Sequence, residues 1–456
     1  MAAEEVLKYI ATNEIKWVDL QFFDVAGFLN KATISHRDVE EYMFTKGVAA
    51  ADLELVFGKS EQGELVLLPD DETIARLPWE PSTIRLLCDV VTAIDNERYL
   101  KDSRYIAHRA QTNLEALGIK TSRVGATVEF YIMDTATTDR TAHGRGSGTI
   151  VDSRESFWSP SPLSSVDNAL TAQPYDSMYS ARVQIAETLD DTFGYAIDSH
   201  RHGKGKTAHQ SVDIKEYGVK TAGDAFSTLK FVVRNLANAV NAAPTFMPYP
   251  IEGERGSSLH ISTSLWKTAD NNVFYDGTDE YAQLSQTGRY FIGGLLEHAA
   301  SLSLFTMPLT NSYKHLAVDP RVVAWSKLNK KTVVNVPHVR KNYKEGKRIV
   351  YTAADPSVNP YLAYAVVMSA GLDGIKNKID PGDPLDEEGE EVKKRKWNAL
   401  PNSLYAAMES FESDPKYIKG VIPQEFLDAY IDLKISEHQD SLRSVSPWEL
   451  EKYWNV

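Results

Sequence analysis

Three short stretches of the chain carry side chains whose types and spacing could do chemistry. Residues 121–132, TSRVGATVEFYI, set Thr127 and Glu129 two positions apart in a strand-like pattern. Residues at that spacing share one face of a strand, where two carboxylates could hold divalent cations. Here only Glu129 is acidic, so it is either a ligand or an ordinary strand glutamate at a sheet rim. The second stretch, DSHRHGKGKTAHQSVDI, gathers His200, Arg201, His202, Lys204, Lys206 and His209. Its three imidazoles lack a zinc-ligand spacing and a cysteine partner. A patch for an anion at Lys204, Lys206 and Arg255, or a solvated loop, are the other readings. The third stretch, GERGSSLHISTSL, contributes Arg255 and His260. A lone strand histidine is a metal ligand or a satisfied structural residue.

These residues need a scaffold. Arg348–Thr352 alternates like a strand, and a turn at Asp355–Ser357 follows. Asn359 should then cap a helix with Pro360 in its first turn, where the missing N–H costs nothing. Leu362, Ala365, Val366, Met368 and Leu372 make that helix apolar over most of its surface, so it should be buried. Upstream, residues 3–12 read as a short helix. Ile15–Phe23 and Phe28–Ile34 read as strands around a turn at Asp24–Gly27, and Glu64–Leu68 and Thr83–Val90 as further strands. Arg104–Leu117 begins an amphipathic helix, which sets a boundary near residue 105. Residues 140–172 are rich in Gly, Ser, Thr and Arg and read as a loop. Thr221–Ala242 and much of 279–310 read as helices.

Bulk properties narrow the class. With 456 residues the chain exceeds one ordinary core, so two domains are expected. Apolar residues at 43% and charged residues at 25% describe a globular protein. A net charge of −14 argues against non-specific nucleic-acid or anionic-membrane binding. The single cysteine, Cys88, excludes an intrachain disulfide and, among apolar neighbours, reads as a buried thiol. No apolar run reaches the length of a membrane span, and MAAEEVLKYI reads as an acidic helix rather than a signal peptide. A cytoplasmic location is the expectation.

Several motifs carry a resemblance: VDLQFFDVAGFLNKATI and ELVLLPDDETIARLPW near the start, then EFYI, NSYK, ADPSVNPYLA and AGLDGIKNKI. Together they resemble the glutamine synthetase family in its long prokaryotic form, over nearly all of residues 3–456. The resemblance implies an α+β fold. A small N-terminal β-grasp domain would span 1–104 and a catalytic-type domain 105–456, the latter an antiparallel half-barrel sheet surrounded by helices. It also implies ATP-dependent ligation of glutamate and ammonia with magnesium or manganese.

Residue by residue the resemblance weakens at the chemistry. Where the family has an ammonium-binding Asp, this chain has Ala50, or Asp52 if the gap is placed differently. The metal carboxylate positions read Thr127, Lys204, Ser211 and Val350, leaving Glu129 and His260 as metal-site remnants. An ammonium such as that of Lys204 cannot ligate a cation and repels one nearby. The family's N-G-S-G-M-H-x-H-x-S reads Arg255, Gly256, His260, Ser262 and Ser264. Of these, Gly256 is a substrate-pocket remnant and Ser264 a nucleotide-site remnant. The Arg that binds the glutamate carboxylate becomes His315, which cannot form a bidentate pair. A second substrate Arg becomes Thr352. Of the phosphate-binding residues, Lys330 stands at one position and Leu328 at another, whereas Arg348 matches.

The expectation is therefore a family member that has lost catalysis and acts as a structural or regulatory oligomer. It would need no cofactor, and ATP and metal binding are doubtful. An ATP-dependent carboxylate–amine ligase with an altered substrate, or a weakly active glutamine synthetase, are the alternatives. The apolar C-terminal tail, Trp448, Leu450, Tyr453, Trp454 and Val456, suggests self-association, by resemblance into a dodecamer of stacked rings. An active paralogue is a further candidate partner. Residues 379–398 read as an exposed charged loop without a tyrosine for adenylylation.

Overall fold

The computed structural model describes residues 3–50, 52–139, 148–156, 158–159, 170–205, 207–340, 342–387 and 399–456. Helix α1 (Ala3–Thr12) precedes a sheet built from β1 (Trp17–Phe23), β2 (Leu29–Ser35), β3 (Val48–Ala49), β4 (Leu65–Pro69), β5 (Ala75–Arg76) and β6 (Thr83–Thr92). Short helices α2 (Met43–Lys46) and α3 (Leu53–Phe57) lie between β2 and β4. The strand order is β2-β1-β6-β4-β3, with β1 and β6 parallel and β5 added against β6. Strand β1 is covered on both faces. Val18, Leu20 and Phe22 enter the small core with Cys88, while Phe23 joins the core of the rest of the chain.

Helix α4 (Ser103–Ala116) leads into the large sheet, β7 (Thr121–Met133), β10 (Ile197–His202), β11 (His209–Tyr217), β12 (Ala243–Thr245), β13 (Leu259–Thr268), β14 (Asn271–Asn272), β15 (Val322–Ser326), β16 (Thr332–Asn335) and β17 (Ile349–Ala354). Its order is β10-β11-β7-β13-β17-β16-β15, antiparallel except between β15 and β16. Around it pack α5 (Tyr179–Glu187), α6 (Val219–Ala239), α7 (Gln286–Glu297), α8 (Ala299–Thr306), α9 (Thr310–Val318), α10 (Pro360–Asn377), α11 (Leu404–Ser413) and α12 (Gln424–Arg443). Helix α13 (Pro447–Tyr453) ends the chain and buries none of its residues. The architecture is α+β, a β-grasp domain followed by a curled sheet with surrounding helices. No helix among the described residues is long and apolar enough to cross a membrane.

Helix α10 forms as its sequence requires. Asn359 accepts a hydrogen bond from the Leu362 N–H at 3.3 Å, Pro360 opens the first turn, and nearly every residue to Leu372 is buried. The same Asn359 side chain donates to Val25 O at 3.1 Å and Ser103 Oγ at 2.8 Å. Gly27 (φ +85°) lies against it, and a Cβ there would sit 2.8 Å from the Asn359 backbone. The small domain is thus fastened to the first turn of the central helix.

Two expectations change. The stretch taken as a loop over 140–172 contains half of a hairpin, β8 (Thr135–Asp139) paired with β9 (Gly148–Asp152), while 140–147 and 160–169 lie outside the described residues. The His- and Lys-rich stretch is also not a solvated loop. It forms β10, a tight connection and the start of β11, with His202 and His209 buried. Cross-strand pairing with β7 explains this, because the ladder satisfies the backbone and draws the imidazoles inward.

Candidate functional site

One face of the large sheet lines a cavity of about 1590 Å³. The register brings its residues together. His260 and Asp213 both lie opposite Thr127, Ser211 lies opposite Glu129, and Ser262 lies opposite both Gly125 and Val350. Directly opposed residues point to the same side, so these side chains form one surface. Thr127, Glu129, Lys204, Arg255, Gly256, His260, Ser262, His315, Lys330, Arg348, Val350 and Thr352 all line the cavity. Ser211 does not, because it is fully buried between strands. Ser264 is also buried and accepts from Trp266 Nε1 at 2.9 Å, away from the cavity. Ala50 packs on the core of the small domain, and Asp52 starts α3 with φ +66°. Lys206 lies outside the described residues, as do residues 388–398 of the charged loop.

The cavity is not emptied of acids, as the sequence suggested. Seven Asp or Glu and nine Lys or Arg line it, which leaves a positive excess within an acidic protein. Most of the acids are already engaged. Asp213 accepts from Thr127 Oγ1 at 2.5 Å, Arg201 Nη1 at 2.9 Å and Ser199 Oγ. Burial alone would raise its pKa, but these partners outweigh it and the value is lowered. Asp319 is held by Arg321 at 3.0 Å and by Lys331. Glu216 is raised, since burial dominates the pull of Arg348, 4.0 Å away, and Arg123. Glu129 accepts from the Ser258 N–H at 3.0 Å. The period-two alternation of β11 was the signal that could have placed Asp213 on this face.

Three neutral imidazoles complete the surface. His209 stacks on Tyr131 with ring centroids 4.5 Å apart, and its Nδ1 accepts from the Gly205 N–H at 3.0 Å. In a neutral ring that bond puts the proton on Nε2, which lies 3.9 Å from Glu129 Oε2. Burial, reinforced by nearby His202, Arg255 and Lys204, lowers the His209 pKa to about 3. His260 and His315 are each lowered to about 4, again chiefly by burial. His315 lies against Gly256, where a Cβ would come 2.1 Å from the ring.

The comparisons decide the family. The profile described as the glutamine synthetase catalytic domain matches residues 100–453, and the glutamine synthetase β-grasp profile matches 14–93. The chain belongs to the glutamine synthetase family. It is 36% identical to the glutamine synthetase of Sulfolobus acidocaldarius, covering 98% of each chain. It is 33% identical to that of Rhizobium meliloti, covering 100% of this chain and 99% of the relative. The solved Plasmodium falciparum glutamine synthetase superimposes with a TM-score of 0.86 over 99% of both chains. At 20% identity that likeness concerns the fold alone. Glutamine synthetase chemistry, by resemblance, uses divalent cations. Among the described residues no group of three or more His, Cys, Asp or Glu is disposed to hold a metal ion. His209 Nε2 lies 3.9 Å from Glu129 Oε2, and His260 and Lys204 stand on the same lining.

Proposed function

We propose that this chain, divided into two domains at residue 104, is a glutamine synthetase homologue that has lost ligation and serves as a structural or regulatory oligomer in the cytoplasm. The observation that carries the reading is the surroundings of Glu129. Thr127, two positions along the strand, and Ser211, directly across from Glu129, are not acids, nor is Val350 farther along the lining, and Lys204 shares the cavity. Phosphoryl transfer demands that charge developing on phosphate be neutralised, commonly by metal ions. A carboxylate already bonded to the Ser258 N–H, on a lining where Lys and Arg outnumber Asp and Glu, gathers such ions poorly. Losing one stabilising group typically costs ~10²–10³ in rate, and here several positions differ together. The exposed C-terminal aromatics support self-association, with a dodecamer of stacked rings or mixed rings with an active paralogue as the form.

The test is a γ-glutamyl hydroxamate assay on pure protein, paired with calorimetry of ATP plus magnesium. No product and no heat are expected. Metal-dependent turnover at a rate typical of ligases overturns the reading. A second reading, an ATP-dependent ligase for a different acid and amine, draws support from the retained cavity and its cationic lining. Heat from ATP plus magnesium without hydroxamate formation favours it.

A further inference from the structure

A second, smaller crevice of about 330 Å³ lies between the small sheet and α6. Gln21, Phe23, Leu29 and Lys31 line it from β1 and β2. Ser227, Lys230, Phe231 and Arg234 line it from α6, where their spacing of three and four residues puts them on one helix face. No Asp or Glu is among the lining residues, although the protein as a whole is acidic. Lys31 is paired with Asp19 at 2.8 Å. Lys230 lies over the Phe226 ring at 4.7 Å and spends one N–H on Val358 O at 3.0 Å, which leaves further donors. Arg234 reaches the mouth, its guanidinium 5.7 Å from the Phe246 ring.

Two buried polar atoms in this wall have no protein partner. Gln21 is 1% exposed and turns Oε1 toward Arg85 Nη1 at 3.4 Å, leaving Nε2 unpaired. Ser227 is 6% exposed and its Oγ is unpaired. Burial, with Arg234 nearby, lowers the Lys230 pKa to about 7, so an anion would also favour its protonation. Buried donors without partners are costly, so a wall that keeps two of them beside Arg234 and Lys230 is built for an acceptor. The remaining wall, Phe23, Leu29 and Phe231, is apolar. The volume fits a small metabolite.

We propose that this crevice binds a small organic carboxylate, with its charged end on Lys230, Arg234 and the Gln21 amide and its short apolar body against Phe23, Leu29 and Phe231. The ligand would bridge β1–β2 and α6, so it would reinforce the junction of the two domains. The inference stands apart from the cavity on the large sheet and does not depend on the loss of ligation.

Isothermal titration of the full chain with short mono- and dicarboxylates, and with inorganic phosphate as a second probe, tests it. At least one carboxylate should bind and raise the melting temperature. Arg234→Gln, an exposed substitution, should weaken that binding about tenfold, as expected for losing a charged hydrogen bond. Gln21→Leu should weaken it as well. If Gln21→Leu fails to fold, Arg234→Gln alone decides. No binding of any carboxylate, binding of phosphate alone, or unchanged affinity in the variants overturns the proposal.

Discussion

Arg104 grips Asp224 with two parallel bonds, Nε to Oδ1 at 2.9 Å and Nη2 to Oδ2 at 3.0 Å. The same guanidinium reaches Asp89 and Asp70 of the small sheet, each at 2.8 Å, and Tyr361 of α10 donates to Asp224 at 2.6 Å. One buried cation therefore holds carboxylates from both domains. The acids in turn raise its pKa well above the usual arginine value against the effect of burial. Arg104→Met should leave buried Asp224 without a cation partner, although Asp70 keeps Lys220 and Asp89 keeps Arg98, and cost ~3–5 kcal/mol. Urea denaturation of the variant checks this, and a loss under ~1 kcal/mol would contradict it.

Acid should unfold the protein through its imidazoles. His209, His260 and His315 have folded pKa values lowered to about 3, 4 and 4, chiefly by burial. A lowered folded pKa gives stability that is complete above the unfolded value of ~6.5 and is lost as pH falls through the folded value. His202 works the other way, because Glu155, 3.2 Å from it, raises it despite burial. That contribution lies above pH 6.5, where His202 is protonated only in the folded state. Between pH 6.5 and 4 His200, also lowered, joins the three imidazoles, while Asp102 and Asp355, raised by burial to about 7 and about 6, oppose them. Four groups against two leave a net loss, at ~1.4 kcal/mol per pH unit for each net proton taken up. Denaturation midpoints across that range measure the slope. His209→Gln should flatten it.

Gly256 and His315 should be coupled. Gly256→Ala places a methyl where the imidazole ring lies, and overpacking of this kind costs ~1–3 kcal/mol. His315→Ala removes the obstacle. The double variant should be more stable than the sum of the single changes implies, and a double-mutant cycle by thermal unfolding reads the difference.

Restoring acids should restore cation binding. Lys204→Glu combined with Val350→Glu adds two carboxylates to the lining that holds Glu129 and His260. Manganese titration by calorimetry should show binding in the double variant and none in the parent chain. Equal heats in both would mean that Lys204 has no bearing on cations.

Removing residues 445–456 should reduce self-association without unfolding the chain. Helix α13 buries nothing, while Trp448, Tyr453 and Trp454 are exposed. Sedimentation velocity reports the assembly, and circular dichroism reports the fold.

Much of the scaffold was legible because local signals agreed with tertiary ones. Pro360 after Asn359 marks the start of a helix, the apolar run to Leu372 marks a buried one, and Thr121–Met133 alternates as a strand. The candidate site was legible only in part. Motif spacing located Glu129, His260 and His315, yet the partners of an acid depend on which strands become neighbours. Asp213 meets Thr127 across 86 positions of sequence, and only the ladder between β7 and β11 brings them into contact. His209 was one basic residue among several until strand pairing buried it and gave its Nδ1 a donor. Ser264 lies beneath Trp266, where position along a strand rather than motif decides exposure.

The three bonds of Asn359 have a bearing on motion. A single amide caps the central helix and at once holds Val25 and Ser103, so sliding the small sheet away would fray the helix beneath the cavity. The two domains should move as one piece, and any signal that loosens one of them should be felt at the floor of the other.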